Sequence, residues 1–367
     1  MKLLLAIRSL DIGGAERQFI ELAKGIDKEA FDVTVCTMYG GRQEENVKAI
    51  DGLRYVNLQK SGRYDLTFYF RYKRFLEERQ PDIIYSFLGE MNLFSLWCRP
   101  KKTKVVWGFR ASNMDLSRYG KVSEALFALQ KHFSGRVDCI VANSQASVGF
   151  HAEKGFDMSR AVVIPNGIDT ETFRPDPVSR KRFRETYGVG EGDRAVGIVA
   201  RLDPMKGYEI LAEAMARVLS GNEKLHFFAA GGGDASIRQR CEAKLAQFGG
   251  RVHWLGSRND VASVYNGLDL YVSSSLTEGF SNTVAEAMAC GVPCVVTDVG
   301  DSAMIVGKTG AVVPPDDPEA LADAIGRMLA RSLRVPDPKA RGRIVENFST
   351  ESMIQRTERE LKACAAS

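Results

Sequence analysis

No stretch of this chain reaches the roughly 18 consecutive apolar residues that a membrane-spanning helix needs. The N-terminus, MKLLLAIRSLDIGG, has too short an apolar run, broken by Arg8, and no small-residue cleavage site. It reads as a first strand rather than a signal peptide, and the expected location is the cytoplasm. Histidine is scarce. The four present, His132, His151, His226 and His253, form no Ser/His/Asp arrangement for hydrolysis, and each is expected in a structural role. The seven cysteines (36, 98, 139, 241, 290, 294 and 364) include no C-x-x-C pair, which argues for reduced, buried thiols and against a zinc site. There is no short-period repeat, no low-complexity tract and no G-x-G-x-x-G dinucleotide fingerprint.

What is present suits a soluble α/β protein. A chain of 367 residues can build two domains, each with its own core, and 44% apolar with 26% charged residues is ordinary for a globular fold. The net charge of +4 is uneven: residues 1–167 hold 25 Lys+Arg against 19 Asp+Glu, and the remainder 25 against 27. A basic first half suits an anionic acceptor or an anionic membrane surface. No module for nucleic-acid binding is visible, so none is expected as a partner.

Apolar runs that read as buried strands alternate with helical patterns: Lys2–Leu10, Phe31–Met38, Tyr55–Leu58, Asp82–Leu88, Val105–Phe109 and Asp138–Asn143, with helices near Leu66–Arg79 and Ser123–Phe133. Such alternation predicts a parallel, doubly wound sheet. Gly13 and Gly14, between the first strand and the first helix, let the backbone approach a ligand closely. The helix DLTFYFRYKRFLEER (65–79) interleaves aromatic residues with Arg71, Lys73, Arg74 and Arg79, a pattern that fits an anionic membrane face as well as a packed helix with a solvated basic side. After Asn166-Gly167 and a cluster of prolines the alternation restarts, with strands at Ala195–Leu202, Leu225–Ala230, Val252–Gly256 and Gly310–Val313. Helices are expected at Pro318–Ala330 and, last, about Thr350–Ala365.

Leu268–Asp298, LDLYVSSSLTEGFSNTVAEAMACGVPCVVTD, organises the second half. A strand breaks at Thr277-Glu278-Gly279, a helix runs to Cys290, and a strand resumes at Cys294. The helix start near Ser281, Asn282 and Thr283 offers unpaired N–H groups and a positive dipole end, which suit a phosphate. Glu278 in the loop and Glu286 about a turn and a half into the helix can reach one ligand lying over that end. Arg201 and Lys206, five apart around a turn, are spaced to clamp a diphosphate and to stabilise its charge as it leaves, with no metal or other cofactor required.

EGFSNTVAEAMACGVPCVVTD resembles the EGF-x(5)-EAMA-x-G-x-P-V donor-site signature of the family 4 retaining glycosyltransferases, the bacterial polysaccharide-biosynthesis type included. GGAE after strand one, PNGID-x(3)-F-x-P at the hinge and ARLDPMKG resemble other parts of the same family. The resemblance implies the GT-B fold, two doubly wound Rossmann-like domains facing across a cleft. It implies an acceptor-binding domain over residues 1–165, a donor-binding domain over 166–349 and a helix, 350–367, crossing back to the first. It assigns Glu278, Arg201 and Lys206 to catalysis. Gly13, Gly14, Gly231, Gly232, Arg258, Gly279, Phe280, Ser281, Asn282, Thr283 and Glu286 fall to the donor, with Arg258 near the base. Where many members carry a histidine, Arg110 stands; it is expected, with Asn113, to meet the acceptor.

The expected activity is transfer of a hexosyl or N-acetylhexosaminyl group, with retention, from a nucleoside-diphosphate sugar, UDP favoured and GDP-mannose possible. The expected acceptor is a saccharide or lipid-linked saccharide in surface polysaccharide synthesis. A nucleotide-sugar epimerase would need acid/base groups at the sugar that the sequence does not offer, a phosphorylase of the glycogen type is far longer, and a two-lobed binding protein is usually exported.

Overall fold

The computed structural model describes residues 1–11, 13–62, 64–110, 120–331 and 335–367. They form two compact units: Met1–Gly167 together with Thr350–Ser367, and Ile168–Ser349.

The first unit contains a seven-stranded parallel sheet of β1 (Lys2–Ile7), β2 (Asp32–Thr37), β3 (Leu53–Asn57), β4 (Ile83–Phe87), β5 (Lys104–Phe109), β6 (Cys139–Ala142) and β7 (Ala161–Val163), in the order β3-β2-β1-β4-β5-β6-β7. The interior strands are buried along nearly their whole length, β4 at every residue, which is why they read as continuous apolar runs. Separate hydrophobic clusters cover the two faces: Phe19, Ile20 and Phe31 lie in one, Phe68, Tyr72 and Trp107 in the other. The helix Thr350–Ala366 belongs to this unit and places Met353, Ile354 and Leu361 in the cluster with Phe19.

The second unit repeats the design with β8 (Arg194–Val199), β9 (Leu225–Ala230), β10 (Val252–Gly256), β11 (Leu270–Ser273), β12 (Cys294–Thr297) and β13 (Ala311–Val313), ordered β10-β9-β8-β11-β12-β13. Both orders reverse direction once, between β1 and β4 and between β8 and β11. Ligands of open parallel sheets bind at such reversals, beyond the strands' carboxyl ends.

Asp-Pro pairs start the helices Pro177–Thr186, Pro318–Ala330 and Pro338–Phe348: each Asp side chain accepts from a first-turn N–H, and Pro fills the position whose N–H has no helical partner. Buried Asp269 pins the first of these to the sheet, accepting from Arg180 at 2.6 Å, Arg184 at 2.9 Å and the Ala195 N–H at 2.8 Å. The expected strands Lys2–Leu10 and Ala195–Leu202 end early, at Ile7 and Val199, and the surplus residues lie beyond the strands' carboxyl ends.

Candidate functional site

At the reversal of the second sheet, the loop after β8 and the loop after β11 are fastened together. Lys206 Nζ lies 2.7 Å from Glu278 Oε1, an oxygen that also accepts from Ser275 Oγ at 2.8 Å. The backbone holds the pair from beneath: Leu276 N–H donates to the Met205 carbonyl at 2.9 Å and Ser274 Oγ to the Lys206 carbonyl at 2.9 Å. Thr297 Oγ1 donates to the Ser275 carbonyl at 2.6 Å, and the Asp301 N–H to the Gly279 carbonyl at 2.9 Å. Gly300, at φ +58°, passes so close below that a Cβ there would sit 2.5 Å from the carbonyl oxygens of Glu278 and Gly279. Lys206 and Glu278, given separate tasks by the sequence, are each other's partners. Ser274 and Ser275 escaped the sequence reading, although the triple serine at the strand end was their signal.

The helix Asn282–Ala289 follows directly. Ser281 precedes it as the N-cap residue yet makes no capping bond; its hydroxyl is buried with no hydrogen-bond partner among the described residues. A buried hydroxyl left unpaired is costly, and this one sits where the helix's first N–H groups attract an anion. Thr283 lies beside the buried Tyr271 hydroxyl, which donates to the Val199 carbonyl at 3.3 Å. Glu286 is only 4% exposed and accepts from Tyr265 Oη at 2.9 Å. Burial first, then the neighbouring Glu286 charge, pushes the Tyr265 hydroxyl well above its ordinary pKa, so the phenol stays a donor. Phe280 turns its ring into the core against Phe348 at 5.5 Å, leaving only its backbone for a ligand.

Arg201 projects outward, its side chain 78% exposed and loosely paired with Asp203 at 3.5 Å. Gly231 and Gly233, at φ +148° and +142°, lie against the carbonyls of Ala200 and Leu202 with no room for a Cβ. That close approach demands glycine whether or not a ligand lies above. Gly232 is hemmed in by the Ser257 hydroxyl. Arg258 stands beyond edge strand β10, two strands from the reversal, and grips Asp260 with two bonds of 2.7 and 2.6 Å.

In the first unit, Gly13 caps the helix that begins at Gly14, in extended backbone. Arg110 does not hang free: it donates to Tyr85 Oη at 2.9 Å and Asn166 Oδ1 at 3.2 Å, and stacks over Phe87. Asn113 lies outside the described residues. In the helix Thr67–Arg79, Phe68 and Tyr72 are buried, Phe70 is exposed, Arg71 pairs with Asp65 and Arg74 with Glu78. No described helix is long and apolar enough to cross a membrane.

All seven cysteines are buried free thiols. His151 stacks on Phe109, and His226 and His253 bond to each other at 3.2 Å beside Phe228. Among the described residues no group of three or more His, Cys, Asp and Glu could hold a metal ion.

Residues 12–172 match the model described as Glycosyltransferase Family 4, and residues 193–331 the model described as Glycosyl transferases group 1. The lipopolysaccharide core biosynthesis mannosyltransferase LpsB of Rhizobium meliloti is 29% identical over 227 residues, 59% of this chain and 63% of that protein. A D-inositol 3-phosphate glycosyltransferase of Corynebacterium urealyticum is 30% identical over 207 residues, 53% of this chain and 49% of that protein. The match therefore spans between about half and two thirds of these relatives' lengths. Among solved structures, Anabaena Alr3699/HepE in complex with UDP superimposes with a TM-score of 0.83 at 22% identity, over 99% of this chain and 100% of that one.

Proposed function

The chain belongs to the family 4 glycosyltransferases of the GT-B fold, and on that premise we propose that it moves a sugar, with retention, from a nucleoside-diphosphate sugar to a saccharide or lipid-linked acceptor in surface polysaccharide synthesis. The observation that carries this reading is the second unit's reversal. There an ion-paired Lys206 and Glu278 adjoin a helix N-terminus whose cap hydroxyl, on Ser281, is buried without a partner among the described residues. The helix end and Lys206, with exposed Arg201, bind the diphosphate and offset its charge as it departs, without a metal. Glu278, steadied by Lys206 and Ser275, orients the sugar hydroxyls, and Glu286, fixed by Tyr265, takes the ribose. The acceptor falls to the first unit, whose basic composition suits an anionic partner or membrane face. UDP is favoured as the nucleotide, with support from the UDP complex of the Anabaena protein; the Rhizobium relative's name keeps a mannose donor as the second choice.

A thermal-shift series with UDP, GDP, ADP and their sugars tests the reading, because a ligand that binds only the native chain raises its midpoint with concentration. One nucleotide should stabilise the chain, and Glu286→Ala should abolish that shift. If no nucleotide does, the donor assignment is wrong. Glu278→Ala separates an enzyme from a mere binder: the enzyme loses turnover, the binder only affinity.

A further inference from the structure

The first unit carries a charge pair at its own reversal that the donor site leaves unused. Arg8 follows β1, and Glu90 lies in the first turn of the helix Gly89–Cys98 that follows β4. Arg8 Nε stands 3.6 Å from Glu90 Oε2. The other carboxylate oxygen is taken by Lys60 Nζ at 3.0 Å, from a side chain only 1% exposed. Lys60 also donates to Tyr39 Oη at 3.1 Å and the Gly62 carbonyl at 2.8 Å. The four residues follow the carboxyl ends of four adjacent strands, β3, β2, β1 and β4, three in loops and Glu90 in a helix's first turn. Backbone bonds stitch those loops together: Tyr39 N–H to the Arg8 carbonyl at 3.0 Å, and Lys60 N–H to the Met38 carbonyl at 2.7 Å. Leu88, a non-glycine residue at φ +71°, turns the chain out of β4 just ahead of Glu90.

The geometry divides the labour. Lys60 is too deep to meet a ligand; it is a positioning residue whose ammonium holds and aims the Glu90 carboxylate. Arg8 is the reachable group, 56% exposed, its guanidinium over the Tyr39 ring with one edge toward Glu90. A ligand carrying only negative charge would meet Glu90, and one carrying only hydroxyls would leave the guanidinium fork unused. We propose that Arg8 and Glu90 form the acceptor subsite and select a sugar or polyol that bears a phosphate, Arg8 binding the phosphate oxygens and Glu90 accepting from a neighbouring hydroxyl. The proposal rests on the glycosyltransferase reading and adds the acceptor's chemical class. The phosphate belongs to a soluble sugar or to a lipid headgroup, and the test separates these sources.

The full chain, saturated with UDP, is titrated calorimetrically with glucose 6-phosphate, and separately with phosphatidylinositol vesicles; glucose and phosphatidylcholine vesicles are the controls. At least one phosphate probe binds and its control does not, and Arg8→Gln weakens that binding at least about tenfold, the worth of one charge-assisted contact. Glu90→Asp, which keeps the charge beside Lys60 but shortens its reach, weakens the same probe while the thermal midpoint holds. If neither phosphate probe binds, or if Arg8→Gln binds them as tightly as the unaltered chain, the proposal is overturned. Failure of the glycosyltransferase reading is seen separately, as no midpoint shift with any nucleotide; the Arg8 comparison can then be made without UDP.

Discussion

The two units solve one topological problem with different braces. In the second, Lys206 and Glu278 meet across the β8/β11 reversal at 2.7 Å on loops held by backbone and hydroxyl bonds, with Gly300 pressed beneath. In the first, Arg8 and Glu90 meet across the β1/β4 reversal at 3.6 Å, on loops that backbone bonds also stitch, and a buried ammonium, Lys60, is added to the brace. Strand order decides where a paired cation and carboxylate can face a ligand. On the proposed function, the brace decides what a substitution should break: where backbone and hydroxyl bonds hold the loop, removing the cation should cost chemistry, and where a buried charge helps to hold it, removing that charge should cost stability.

The sharpest test of that difference is Lys206→Met. It should lower kcat by about 10²–10³-fold, the usual worth of one group stabilising developing charge, and cost less unfolding free energy than the loss of Lys60, because Glu278 keeps its bond from Ser275 Oγ and the loop its backbone bonds; steady-state kinetics and denaturant titration read the two. The mirror experiment, Lys60→Met, should reverse the pattern and cost about 1–3 kcal/mol by leaving a part-buried carboxylate short of its partner, with nucleotide-induced midpoint shifts preserved. Equal losses of stability from both variants would erase the distinction. The smallest effect is acid softening. Burial and then the adjacent His226 lower the His253 pKa to about 4, and burial lowers those of His226 and, in the first unit, His151. Between the ordinary histidine value near pH 6.5 and about pH 4 the unfolded chain therefore binds more protons, so the stability present above the upper value declines as pH falls. Amide exchange followed by mass spectrometry at about pH 7 and pH 5 should show the second unit, with its histidine pair, loosening more than the first, and His253→Phe should narrow the gap.

The sheets were legible because parallel strands buried on both faces must be apolar throughout, and Ile83–Phe87 or Leu225–Ala230 has few other readings. Helices with ordinary amphipathic faces, such as Pro318–Ala330, were legible too. Gly89–Cys98 was not: GEMNLFSLWC is buried on several sides and shows no polar stripe. Pro177–Thr186 hid behind a proline cluster that suggested only a connection, although Asp176-Pro177 was a helix start in plain view. At the candidate site, residue identities were readable from local pattern, whereas their partners were tertiary. Nothing near Glu286 points to Tyr265, 21 residues earlier in a helix the sequence did not announce. Lys60 and Glu90 drew no attention, and Arg8 only as a break in the first apolar run, because each, alone, reads in the sequence as an ordinary surface charge.

The helix Thr350–Ala366 makes the first unit discontinuous along the chain. Its consequence is one of timing. On the ribosome the segment up to Gly167 emerges first, but the cluster containing Phe19, Ile20 and Ala23 gains Met353, Ile354 and Leu361 only after the whole second unit has been made. The half that is synthesised first is thus completed last, and a ribosome that stalls inside the second unit leaves an apolar face of the first uncovered, a target for chaperones during the wait.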